Sequence, residues 1–193
     1  MTQNIRYILA ALLYVAGAVQ AATLSVSPAN QSVGPSGTAQ VAITVSGLTA
    51  NGAPSLGVYD FTLTYDPAVI SFTSVSYGDP GLGNQLALST PSFQASNTGT
   101  SGAAQIIESS LDSPAILDGG QAGAFTLAIL TFDAVGPGTS ALNLTGVTLG
   151  DADANALPAI LVGGSLTVVP LPAAAWLFAS ALGLLGWRRR CAT

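Results

Sequence analysis

From Ala22 to Val168 the chain is a succession of short apolar alternations broken by Gly, Pro, Asn and Ser. Val41, Ile43 and Val45 alternate with Ala42, Thr44 and Ser46, and Tyr59, Phe61, Leu63 and Tyr65 alternate with Asp60, Thr62 and Thr64. A period of two puts one set of side chains on a core and leaves the other, rich in hydroxyls, in water, so these runs are strands. Leu24 to Ser27, Val69 to Tyr77, Ala104 to Ser109, Ala124 to Val135, Ser140 to Leu149 and Gly164 to Val168 are further candidates. Within them, FTLAILTF is apolar on both faces around Ile129 and Leu130, the mark of a central strand. Leu142 and Leu144 share one parity while Val147 and Leu149 take the other, with Gly146 at the switch, which predicts a bulge. No helix of useful length is predicted here. About nine strands with turn punctuation read as an all-β sandwich.

Two stretches do not alternate. Tyr7 to Val19 is a continuous apolar run behind Arg6, and small residues follow it at Ala21 and Ala22. That is the layout of a secretory signal peptide over 1–21, with cleavage between Ala21 and Ala22. It is short for a membrane span and no charged flank follows it. At the other end Leu171 to Trp187 carries no charge. As a helix rising about 1.5 Å per residue it reaches roughly 25 Å, enough for a thin hydrocarbon core. Trp176 and Trp187 lie toward its ends, where indole rings favour the interface, and Arg188, Arg189 and Arg190 follow at once. Such a cationic cluster stops translocation and fixes the cytoplasmic side.

Charge narrows the function. The 193 residues suit one domain with short appendages. All nine carboxylates lie between Ala22 and Val169 and no cationic side chain does, a formal charge of −9 for that region. Such a surface repels phosphate backbones, which excludes nucleic acid and leaves basic groups or metal ions as charged partners.

Without histidine or lysine no Ser-His or Ser-Lys pair can be built, and Cys191 stands alone beyond the arginines. Glu108 and Asp112 are the nearest carboxylate pair for glycoside hydrolysis, but the first ends a strand and the second opens the turn Asp112-Ser113-Pro114. The chain is therefore read as non-enzymatic. Asp151, Asp153 and Asn155 imitate the first half of a calcium loop, yet Ala156 and Val162 stand where its Gly and Glu belong. An acidic turn is the first reading and a Ca2+ site the second. For sugar stacking only Tyr77, expected on a loop, is placed to serve, since the stripe of Tyr59, Phe61 and Tyr65 is expected to pack in the core.

Two resemblances follow. Val169-Pro170-Leu171-Pro172, the Ala-rich segment behind it and the three arginines, in that order, resemble the PEP-CTERM sorting tail in its VPLP form, with Leu171 where the commoner form has Glu. This implies processing near the motif by an exosortase, an intramembrane cysteine transpeptidase of Gram-negative bacteria that make exopolysaccharide and biofilm. The protein would be exported across the inner membrane, anchored there transiently, then sorted to the cell envelope or extracellular matrix. VYDFTLTYDPAVISF (Val58 to Phe72), ILTFDAVGPGTSALNLTGVTLGD (Ile129 to Asp151) and GGSLTVV (Gly163 to Val169) resemble the cohesin family. That resemblance implies a nine-strand jelly-roll sandwich over 22–168 that binds a dockerin-like protein, followed by the sorting signal over 169–193. A carbohydrate-binding module of related fold, taking exopolysaccharide, is the alternative.

Overall fold

A computed structural model describes residues 21–170. The signal-peptide run, Leu171, Pro172, the 171–187 segment and Arg188 to Arg190 lie outside the described residues; among those described, no helix is long and apolar enough to cross a membrane.

The alternating runs become strands of two stacked sheets. One sheet has the order β10-β1-β3-β8-β5, from β1 (Ala22–Ser27), β3 (Thr38–Ser46), β5 (Ile70–Tyr77), β8 (Ala124–Ala134) and β10 (Ala159–Val162). The other has the order β2-β11-β9-β4-β7-β6, from β2 (Asn30–Val33), β4 (Leu56–Thr64), β6 (Phe93–Asn97), β7 (Ala103–Ser109), β9 (Gly138–Asp151) and β11 (Gly164–Val168). All pairings are antiparallel except β1 with β10 and β11 with β2. Those two parallel pairs sit where the chain crosses from one sheet to the other, through Ser27-Pro28-Ala29 and through Gly163, and they close one side of the sandwich. Alternate residues of each strand meet between the sheets: Val41, Ile43, Val45, Tyr59, Phe61 and Leu63 are fully buried. Tyr65 packs edge-on against Phe132 with ring centroids 5.2 Å apart, so the aromatic stripe of β4 belongs to the core.

The bulge at Gly146 is present. Asp60 pairs with Thr148 while Thr62 pairs with Thr145, and Gly146 has φ +58°, so one extra residue returns Val147 and Leu149 to the side of Leu142 and Leu144. A second bulge in the same pairing lies at Gly57, between Leu56 opposite Asp151 and Val58 opposite Gly150. A Cβ there would stand 2.6 Å from the Asp151 carbonyl oxygen and 2.9 Å from the Ala152 Cα, both backbone atoms that cannot swing aside. Gly57→Ala should therefore cost about 2 kcal/mol, read as a lower urea midpoint at unchanged slope.

Three features depart from expectation. The strands number eleven rather than about nine, because the edge strands β2 and β6 and the short β10 were not predicted. A seven-residue helix, α1 (Pro114–Gly120), interrupts the expected all-strand run; Leu117 is its only buried residue. Behind it the Gln121 amide accepts from Leu56 N at 2.6 Å and donates to Leu56 O at 2.9 Å, docking the helix end like an added ladder rung. Finally, Tyr77 is the last residue of β5 and not on a loop.

Candidate protein-binding face

The outer surface of the six-stranded sheet presents ordered rows. Phe93, Ser109 and Val58 are neighbours across β6, β7 and β4; Ala95, Ile107, Asp60 and Thr148 form the next row, with β9; Asn97, Gln105, Thr62 and Thr145 form the third. Because Tyr59, Phe61, Ile106 and Glu108 point into the sandwich, strand alternation sends these residues outward. Phe93 is 58 % exposed and is the one exposed aromatic among the described residues. Beside it Val58 and Ile107 are half-buried. The one carboxylate in these rows, Asp60, accepts both contacts of the Gln105 amide at 3.0 and 3.1 Å. An aromatic anchor with aliphatic neighbours and a polar surround is the composition of a protein interface. The outer face of the other sheet is hydroxyl-rich along β1 and β3, with Thr23, Ser25, Thr44 and Ser46, and its exposed aliphatics Ile160 and Val162 lie on the edge strand β10.

What holds Phe93 outward lies behind it. Glu108 is fully buried, and its Oε1 accepts from Ser92 Oγ at 2.5 Å, Asn84 Nδ2 at 2.5 Å and Gln94 Nε2 at 2.9 Å. Its Oε2 accepts from the Tyr59 hydroxyl at 2.7 Å. Asn84 is oriented by its own oxygen, which accepts from Leu86 N. Ser92 and Gln94 flank Phe93, so two hydrogen bonds to one buried carboxylate fix the parity of the edge strand. The Tyr77 hydroxyl adds a third restraint by donating to Ala95 O at 2.7 Å. Burial, and then the charge of Glu108, push both the Tyr59 and Tyr77 hydroxyls above their usual range, so both remain donors. Among the described residues no cation faces Glu108; four neutral donors replace its hydration.

The loop between β5 and β6 is pinned at its root by Asp79. One carboxylate oxygen accepts from Gly81 N and Leu82 N, the other from Thr126 N of β8 at 2.8 Å. The bond from Thr126, with those from Gly81 and Leu82, holds this carboxyl below its ordinary value against a smaller opposing effect of burial. A depressed folded-state value stabilises the fold above the unfolded value and is lost as pH falls through the folded one. Stability should thus decline below about pH 4. Asp79→Asn should flatten that decline in urea titrations repeated down the pH scale.

The remaining candidates fall elsewhere. Asp112 lies at the entrance to α1 and accepts from Ser89 Oγ at 2.5 Å and Ser89 N at 3.1 Å, a network separate from that of Glu108. Asp151, Asp153 and Asn155 share one turn: Asp151 accepts from Asp153 N, from Asn155 N at 2.7 Å and from Asn155 Nδ2 at 3.0 Å. Ala154 takes φ +64° to close it. Among the described residues no three His, Cys, Asp or Glu side chains are grouped to hold a metal ion. Val169 donates its N–H to Val33 O at 2.9 Å, and Ala22 donates to Pro158 O at 2.9 Å, so the described domain is fastened at both ends.

The sequence matches the family described as Cohesin domain over residues 24–168. No curated protein matches it. Among solved structures it is similar to a non-cellulosomal cohesin from the archaeon Archaeoglobus fulgidus, at 19 % identity and TM-score 0.56 over 80 % of this chain and 96 % of that one. It is similar also to the sixth cohesin of Acetivibrio cellulolyticus scaffoldin B, solved with a Cel5 dockerin, at 18 % identity and TM-score 0.59 over 77 % and 99 % of the two chains. A type I cohesin–dockerin complex from Clostridium thermocellum gives 14 % identity and TM-score 0.61 over 78 % and 100 %.

Proposed function

The chain belongs to the cohesin family, and from that premise we propose that its domain holds a dockerin-like protein on the outer face of β6, β7, β4 and β9. A cohesin domain is a non-catalytic binding module. The observation that carries the choice of face is Phe93, exposed on the edge strand of a half-apolar sheet face and held outward by the Glu108 network. The solved relatives from A. cellulolyticus and C. thermocellum were captured with dockerins, which supports this partner class. The polysaccharide alternative gains nothing from the geometry, since Tyr77 is tied to Ala95 and Phe93 stands without a second exposed aromatic among the described residues.

The ends complete the proposal. The first strand starts at Ala22 and the last ends at Val168, which supports reading 1–21 as a signal peptide and 169–193 as a sorting tail. The tail, with its VPLP motif, apolar segment and arginines, would be cut by an exosortase after transient anchoring in the inner membrane. The domain then serves in the envelope or exopolysaccharide matrix, as a display or scaffold element. A calorimetric screen of purified dockerin modules and of matrix polysaccharide against the protein tests the binding role. Saturable binding of a dockerin supports it; binding of the polysaccharide alone overturns it.

A further inference from the structure

The anchoring part of that reading has a structural consequence at the end of the sandwich where Pro170 emerges. A cleft of about 340 Å³ opens there, lined by Pro35, Ser36, Val135, Pro137, Val168 and Pro170, with only Ala134 and Gly136 besides. Among the described residues no charged side chain lines it. Val135 is 61 % exposed and Val169 45 %. These apolar groups stand on fixed backbone: Ala134 N donates to Gly37 O, Val135 N to Val69 O and Val169 N to Val33 O, each at 2.9 Å. The acids nearest this end, Asp66 and Asp133, are engaged with Ala68 N and Thr38 Oγ1, both at 2.9 Å. Asp79, Asp112 and Asp153 lie on connections at the far end of the strands, with Asp118 in α1 and Asp151 closing β9 at that same end.

Distance decides what meets this cleft. The apolar segment starts at Leu171, directly after Pro170 in the cleft wall. An extended residue spans at most about 3.6 Å, so even with Leu171 and Pro172 counted as linker rather than anchor the slack is about 7 Å. The headgroup layer on one side of a bilayer is itself about 5–8 Å deep. An anchor beginning there cannot hold this end of the domain clear of the headgroups.

We infer that the end built by Pro35, Val135, Pro137, Val169 and Pro170 is a lipid-facing foot. It rests in the headgroup layer and points the acidic far end away from the membrane. Interfacial binding scales with the apolar area that is buried, and this end offers exposed apolar side chains on a hydrogen-bonded backbone. The inference rests on the anchoring role of the 171–187 segment.

The test uses residues 22–193, the chain left once the signal peptide is removed, with Cys191→Ser and one new cysteine, Val135→Cys or Gly119→Cys, bearing a charged fluorophore that does not partition by itself. Gly119 is at the far end, and a Cβ there meets nothing within 4 Å. The protein is reconstituted in phosphatidylcholine vesicles containing a fraction of headgroup-nitroxide lipid. The label at 135 should be quenched about threefold more than the label at 119. Equal quenching in vesicles that float with the protein overturns the foot while leaving the anchor standing. Protein that fails to float with the vesicles overturns the anchor and the foot with it.

Discussion

Replacing Glu108 with leucine should destabilise the domain by about 4 kcal/mol, whereas Glu108→Gln should cost no more than about 1 kcal/mol. The leucine variant removes the one acceptor shared by Tyr59, Asn84, Ser92 and Gln94. Unsatisfied donors cost about 1–3 kcal/mol each where water is excluded. Gln94 and Ser92 recover part of that from solvent, which keeps the total below the sum. Glutamine is different because Tyr59 has a second outlet. Its hydroxyl already lies 3.2 Å from the Leu127 carbonyl. It can donate there and accept from the new amide NH2, while the amide oxygen keeps the three donors on the other side. Removing a buried charge also returns its desolvation cost. Equilibrium urea unfolding of both variants separates the cases. A loss with glutamine equal to that with leucine would mean that the negative charge, and not the acceptor geometry, holds the network.

That hub was partly legible in the sequence. The candidate strand from Ala104 to Ser109 places Ala104, Ile106 and Glu108 on one parity, and two apolar residues on that parity already point Glu108 inward. Its place near a strand end is all that its immediate neighbours add. Its partners were not legible, because Tyr59, Asn84, Ser92 and Gln94 come from two separate stretches of chain, one of them a loop with no periodicity. The strands with one core face, β3, β4, β7 and β9, are written in the sequence as alternation, and β8 as a central run apolar on both faces. β2 and β6 did not: NQSV and FQASN are edge strands with little apolar surface to bury. β10 failed for the opposite reason, since a four-residue apolar run has no period to read. α1 carries one buried side chain, too few to write a helical stripe. The Gly146 bulge was visible because a glycine marked a parity switch. The bulge in β8 opposite Ile43 and Thr44 was hidden by residues apolar on both faces.

Phe93→Ala should weaken binding of the dockerin-like partner about 30-fold while leaving folding stability within about 0.5 kcal/mol. A phenylalanine buries on the order of 150–250 Å² when fully covered. With the residue 58 % exposed in the free domain, about 100 Å² remains for a partner to cover. At about 25 cal/mol per Å² that is roughly 2.5 kcal/mol, and a little less leaves about a 30-fold change in Kd. The same exposure makes the substitution nearly silent in folding, since the free domain has little contact there to lose. Ile160→Ala is the matched control: it is 56 % exposed, but on β10 at the edge of the other sheet. Titration calorimetry of the two variants against one partner locates the interface. A loss confined to Phe93→Ala places the partner on the sheet backed by Glu108, and a loss confined to Ile160→Ala moves it to the opposite side of the sandwich. In the first case Glu108→Gln, which preserves the bonds from Ser92 and Gln94 on either side of Phe93, should bind as tightly as the unaltered protein, because the anchor depends on those two bonds and not on the charge that receives them.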